Sequence, residues 1–216
     1  MGVMKMLNRQ TGIIKSLKKI DEGLEEALVE IQGAEAKAYV FPLLTGQLEP
    51  HDEVLLNTTA VDLMLGSGGY HFVMAKLRGQ EMKYNTPGHI MKLRYTPLQL
   101  KVCSVEEPAS PHHALMLRSQ SLSGTPVISG SLHSMLVPCV CGLLSVNSRL
   151  KIAYVMTDGG ALPLALSQAV ASLKKNSLLS GTITTGHAFG GDYEAVNLYS
   201  GLLAAKEVLK ADVIIA

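Results

Sequence analysis

Two rhythms of apolar and polar residues follow one another along this chain. Up to about Gly88, short segments such as AKAYVF, EVLLNTT and YHFVMAKL alternate with dense punctuation at Gly23, Gly33, Thr45-Gly46, Pro50-His51-Asp52, Gly66-Ser67-Gly68-Gly69, Gly79 and Pro87-Gly88. Segments this short, rich in β-formers and spaced by turns, predict a small antiparallel barrel or sandwich. From about His112 the rhythm changes to apolar run, glycine-rich loop and long helical segment, repeated. ALML leads through a Ser/Gly loop to SLHSMLVPCVCGLLSV; KIAYVM leads through TDGGALP to LALSQAVASLKK; LLSGTITT leads through GHAFGGD to EAVNLYSGLLAAKEVLK; and ADVIIA follows. Strands alternating with helices of this length predict parallel βαβ units joined right-handed.

The expected architecture is therefore α/β plus all-β. A β-barrel-like domain occupies residues 1–108, and a Rossmann-like open α/β domain with a mostly parallel sheet occupies 109–216. The segment KVCSVEEPASPHH, with two prolines and no period, is the expected linker. Pro138 falls inside the first long helical segment and should kink it or push its start later. ADVIIA is apolar enough for a doubly buried parallel strand, which needs a following loop and a cover for its edge, so the chain is expected to run on past Ala216.

Composition narrows the function classes. The chain has 216 residues, 47% of them apolar, and a formal charge of +1, which suits a folded globular protein. Its basic residues are scattered and do not alternate with aromatics, so nucleic acid is not an expected partner. Cys103, Cys139 and Cys141 make no even disulfide framework, which points to a reducing cytoplasm. MGVMKMLNRQTGIIKSL lacks the apolar core of a signal peptide, and no run reaches the roughly eighteen apolar residues of a membrane span.

In open α/β sheets ligands bind outside the carboxyl ends of the strands, so the loops there define the candidate site. After ALML come Arg118, Ser129, Gly130 and Ser131; after KIAYVM come Asp158, Gly159 and Gly160; after LLSGTITT come Gly186, His187, Gly190, Gly191 and Asp192. Arg118 with the amides around Gly130 and Ser131 suits a carboxylate or phosphate, or else forms a flexible loop whose serines satisfy their own backbone. Asp158 beside His187 forms a candidate acid–base pair. With Asp192 the same pair becomes a candidate divalent-metal set, although no diagnostic spacing supports it.

Asp192 is also a natural helix cap, with Tyr193 and Glu194 just inside the helix. Acids at that end would leave little room for an anion. Gly66 to Gly69 imitates part of a dinucleotide fingerprint, but YHFVMA follows where a helix is needed, so a hairpin turn is expected. His112-His113 and Cys139-x-Cys141 lack zinc spacing. His89, Lys92 and Arg94 in GHIMKLRYTP either reach the cleft or line a solvated strand face.

Three blocks, LLNTTAVDLMLGSGGYHFVMA, GHIMKLRYTPLQ and TTGHAFGGDYEAVNLYSGLLAA, resemble a family of Gram-positive bacterial proteins known only as a domain of unknown function. The resemblance implies a cytoplasmic bacterial protein whose relatives run past Ala216, and it brings no substrate, cofactor or catalytic residue. The residues themselves favour binding, with or without turnover, of a small polar or anionic metabolite at the strand ends. The rivals are a non-catalytic homo-oligomeric assembly or regulatory module and a hydrolase using a divalent metal at Asp158, His187 and Asp192.

Overall fold

Gln32 and Gly33 both take positive φ, 52° and 84°, as a two-residue type I′ hairpin requires. That turn sets the register of the antiparallel pair Leu24–Ile31 with Ala34–Val40 in the computed structural model, which describes residues 7–79, 86–160 and 163–216. The first six residues, part of the stretch searched for a leader, and Ala161 and Leu162 of the TDGGALP loop lie outside the described residues. The chain divides into two units, Met1–Tyr84 and Asn85–Ala216.

The first unit contains β1 (Arg9–Asp21), β2 (Leu24–Ile31), β3 (Ala34–Val40), α1 (Pro42–Thr45), β4 (Glu53–Asn57), α2 (Thr59–Asp62) and β5 (Tyr70–Lys76). They close into a barrel ordered β1-β2-β3-β5-β4. All its pairs are antiparallel except β3 with β5, so the expected antiparallel barrel holds with one parallel seam. Alternation places Val29, Val54, Leu56 and Val73 inward, where they join Ile14 and Val40 in the core. Gly66 to Gly69 link α2 to β5, so this turn is a hairpin connection lengthened by one helical turn.

In the second unit the hairpin β6 (Ile90–Lys92) and β7 (Leu100–Val102) precedes α3 (His113–Arg118). Then come β8 (Val127–Ile128), α4 (Leu136–Val146), β9 (Ile152–Met156), α5 (Gln168–Lys175), β10 (Gly181–Thr184), β11 (Tyr193–Glu194), α6 (Leu198–Glu207) and β12 (Val213–Ile215). The five strands β11-β10-β9-β12-β8 form one sheet, parallel throughout. All five residues of β9 are buried, as expected of a strand covered on both faces. Ile152, Tyr154 and Met156 pack with Val140 of α4 and Val170 of α5, whereas Ala153 and Val155 pack with Ala204 and Ala205 of α6. The apolar run ADVIIA is interior as well, with β8 on its outer side.

Several sequence expectations need correction. ALML is not the first strand but part of α3, whose buried Met116 packs on the α6 side of the sheet; a four-residue apolar run carries no period that separates the two states. The first strand of the sheet is Val127–Ile128. Residues 86–108, placed with the barrel by their punctuation, belong to the second unit. KVCSVEEPASPHH is docked within it: Ser104 bridges Glu194 in parallel, and buried Glu107 accepts bonds from the amides of His89 and Ser104 at 2.8 and 2.7 Å. Pro138 does push its helix later, since α4 starts at Leu136 after a 3-10 turn at His133–Met135.

The last helix starts at Leu198, capped by Asn197 in a reciprocal pair with Ser200. Asp192 is therefore not its cap, and Tyr193 and Glu194 are strand, because Asn197 offers the better capping box. With those acids removed from the helix end, the argument that they repel an anion there falls too.

Candidate functional site

The carboxyl ends of β8, β9 and β12 open on a cavity of about 250 Å³. Its rim is fixed by the sheet itself: Ala216 donates its amide to Ile128 O at 2.9 Å and receives the amide of Gly130 at 2.8 Å. Gly130 and Ser131 line it from the first loop and Thr157, Gly159 and Gly160 from the second. Leu132, Met135, Leu136 and Ile215 supply an apolar wall. Four predicted binding residues, Gly130, Ser131, Gly159 and Gly160, are thus brought together here, with Ser129 next in sequence but outside the lining.

Two side chains that sequence reasoning missed sit in the same cavity, His133 and Tyr154. His133 Nδ1 lies 2.9 Å from Tyr154 Oη, and its Nε2 lies 2.6 Å from Ser167 Oγ. Ser167 is the N-cap of α5 and accepts the Val170 amide at 3.1 Å, so α5 fixes the serine and the serine fixes the ring. Burial lowers the His133 pKa below its usual value and pushes Tyr154 up to about 12. The imidazole is therefore neutral at neutral pH, donating from one nitrogen and accepting at the other. The available signals were slight: a histidine in the loop before a proline-delayed helix, and one tyrosine in an otherwise apolar strand.

Asp158 and His187 are neighbours, but through the backbone. The His187 amide donates to Asp158 Oδ1 at 2.5 Å, and its buried Nδ1 has no partner. Gly186, at φ 60°, permits this approach, because a β-carbon there would run into the Asp158 carboxylate. Asp158, His187 and Gly186 stand on loops of the same sheet end without lining the cavity.

Gly190 and Gly191 serve a different task. Their amides donate to Glu194 Oε1 at 2.8 Å and Thr184 Oγ1 at 3.0 Å, shaping the β10–β11 connection. Asp192 Oδ2 accepts from the Thr182 amide and hydroxyl at 2.8 and 2.9 Å, and its Oδ1 meets Lys174 at 2.5 Å. These bonds hold its carboxyl below the usual range although burial opposes them. Among the described residues no group of three His, Cys, Asp or Glu side chains is placed to hold a metal ion, so the Asp158, His187 and Asp192 set is not assembled.

Arg118 closes α3 with its Nε donating to Ala114 O at 3.1 Å, outside the cavity lining. The misread strand misplaced it. Lys92, expected either at the cleft or on a solvated strand face, is fully buried: its Nζ lies 3.1 Å from Glu194 Oε2 and donates to Thr184 O and Ala195 O at 3.3 and 3.2 Å. Burial outweighs the lysine and raises the Glu194 pKa. Arg94 and His89 are exposed, His89 pairing with Glu107 Oε1 at 2.6 Å.

The profile of one protein family matches residues 37–216; its description is "Protein of unknown function (DUF3866)". No curated protein and no solved structure matches the chain.

Proposed function

Because the chain belongs to the DUF3866 family, whose description assigns no function, we propose from geometry that its α/β unit binds a small polar metabolite at the carboxyl ends of β8, β9 and β12. The observation that carries this reading is His133, held on both ring nitrogens by Tyr154 and Ser167 in the lining of a cavity where open α/β sheets place their ligands. Ser131, Gly130, Gly159 and Gly160 contact the ligand, and Asp158 with His187 on the adjoining loops supplies acid–base chemistry if the ligand is turned over. The unit is Rossmann-like in the broad sense that helices cover both faces of a parallel sheet. Three free cysteines suit a bacterial cytoplasm, and no helix among the described residues is long and apolar enough to cross a membrane.

The test is a thermal-shift screen of wild type, His133→Ala and His187→Ala against nucleotides, sugars, sugar phosphates, carboxylic acids and divalent metals. A ligand that binds only the folded chain raises its melting temperature. Stabilisation lost in His133→Ala and kept in His187→Ala supports the cavity; the reverse pattern moves the site to the Asp158 loop. No shift with any class sinks the reading.

A second reading, homo-oligomeric assembly, is favoured by α4. Its exposed side carries Val137, Cys141 and Val146 with no ionic side chain, and a surface helix ordinarily turns charge outward.

A further inference from the structure

Tyr154, His133 and Ser167 form one hydrogen-bonded line. Tyr154 Oη lies 2.9 Å from His133 Nδ1, and Ser167 Oγ lies 2.6 Å from Nε2. Near neutral pH the ring is uncharged, because partial burial disfavours its charged form, and the phenol, pushed up to about 12, keeps its hydrogen. The line therefore holds three hydrogens able to donate, one each on the phenol, the imidazole and the serine, but only two links for them to fill. One hydrogen is left over, and it must stand at one end of the line or the other.

The two ends are not alike. If Nε2 carries the imidazole hydrogen, Tyr154 donates to Nδ1, Nε2 donates to Ser167, and the serine hydrogen is the one left over. Ser167 is only 6% exposed, its oxygen already accepts the Val170 amide at 3.1 Å, and its hydroxyl has no other acceptor among the described residues. Leaving a buried donor unpaired weighs against that arrangement by at least about fivefold.

If Nδ1 carries the hydrogen, every link reverses. Ser167 then donates to Nε2, Nδ1 donates to Tyr154 Oη, and the hydrogen left over is the phenol's. Tyr154 belongs to the cavity lining, and its Oη stands 3.7 Å from the point where a β-carbon on Gly160, another lining residue, would be. A donor placed there finds an acceptor in whatever fills the cavity, solvent included. The choice between the two arrangements is made by the two hydrogen bonds and the α5 cap, and it holds for any occupant.

We infer that the Tyr154 hydroxyl is held as a hydrogen-bond donor toward the cavity, so that the ligand presents an acceptor to it: a carbonyl, carboxyl or phosphoryl oxygen, or an unprotonated ring nitrogen. Ser167, outside the lining, is the positioning residue that sets this polarity through His133. The inference rests on the cavity being a ligand site, as proposed above, and goes further in naming the kind of group recognised there.

Long-range ¹H–¹⁵N spectra of the full chain carrying ¹⁵N-histidine read the tautomer directly, His133 being assigned by the signals lost in His133→Gln. The expected result is a hydrogen on Nδ1 and a bare Nε2; the opposite pattern overturns the inference whatever binds. Cyclopentanone, which only accepts, and pyrrole, which only donates through its N–H, are small rings of like size. Each is titrated into the full ¹⁵N-labelled chain while the amide signals of Gly130, Gly159 and Gly160 are followed. Cyclopentanone should bind at least about tenfold tighter than pyrrole, the worth of one hydrogen bond, with that preference lost in Tyr154→Phe and reduced in Ser167→Gly. Glycine is tolerated at an N-cap, so the second variant keeps α5. Pyrrole bound as tightly as cyclopentanone at those glycines overturns the inference and leaves the ligand site standing. If neither probe shifts those signals, both readings fall. A preference unchanged in either variant removes that variant's residue from the role given to it.

Discussion

Lys92 and Glu194, remote in sequence, meet at 3.1 Å with the lysine wholly inside the protein. The pair joins the β6–β7 hairpin to the edge of the parallel sheet. Removing one member strands the other charge, so Lys92→Met should cost about 3–5 kcal/mol. Adding Glu194→Gln, whose one amide oxygen still accepts from the Gly190 amide while the Thr184 hydroxyl turns to accept from its NH2, should recover at least half. Urea denaturation of both variants checks this; a single mutant as stable as wild type shows that the pair contributes nothing.

Acid should weaken the fold partly through His133. Its folded pKa lies below the ordinary value because partial burial disfavours the charged ring, so the unfolded chain takes up the proton first as pH falls. The stability it contributes is complete above about pH 6.5 and is lost as pH falls through that value toward the folded one. Glutamine keeps a donor and an acceptor without titrating. Melting temperatures between pH 8 and 5 should fall more steeply for wild type than for His133→Gln, and parallel curves would remove His133 from the acid response.

Gly201→Ala tests how closely α6 lies on the sheet. Alanine normally improves a helix by about 1 kcal/mol over glycine. Here its β-carbon would stand 2.5 Å from Thr185 Cγ2 and 3.1 Å from Val155 Cγ1, and overpacking of this kind costs about 1–3 kcal/mol. Crowding should win, and a raised melting temperature would contradict the packing.

Gly186→Ala addresses the rim. A left-handed φ costs a non-glycine residue about 1–2 kcal/mol, and the new methyl displaces the Asp158 carboxylate. The His187 amide, released from its acceptor, should exchange faster with solvent, a change that hydrogen–deuterium exchange resolves. Unaltered exchange would show that Asp158 does not hold that amide.

The barrel, the parallel sheet and the delayed start of α4 were legible because each leaves a periodic or steric trace: alternation in β2, unbroken burial in β9, a proline at a helix start. Of the cavity lining, Gly159 and Gly160 were legible because they follow the recognisable strand KIAYVM, whereas Gly130 and Ser131 were reached from ALML, which is helix, their own two-residue strand Val127–Ile128 being too short to leave a trace. What stayed hidden depends on partners far away in sequence. His133 owes its place to Tyr154 and Ser167, and Lys92 to Glu194. ALML and Tyr193–Glu194 were misassigned because short segments take their state from what they pack against. Arg118 went astray with the first of them.

The position of β12 bears on how the protein is made. β8 and β9 never pair with each other; β12 stands between them and bonds to both. On a ribosome the barrel has all its strands once Lys76 emerges, but the sheet holds a one-strand gap until Val213–Ile215 follows some eighty residues after β8. Until then the edges of two apolar strands are unpaired, and the His133 cavity lacks the wall given by Ile215. The His133 cavity therefore closes only once every strand of this sheet has been made.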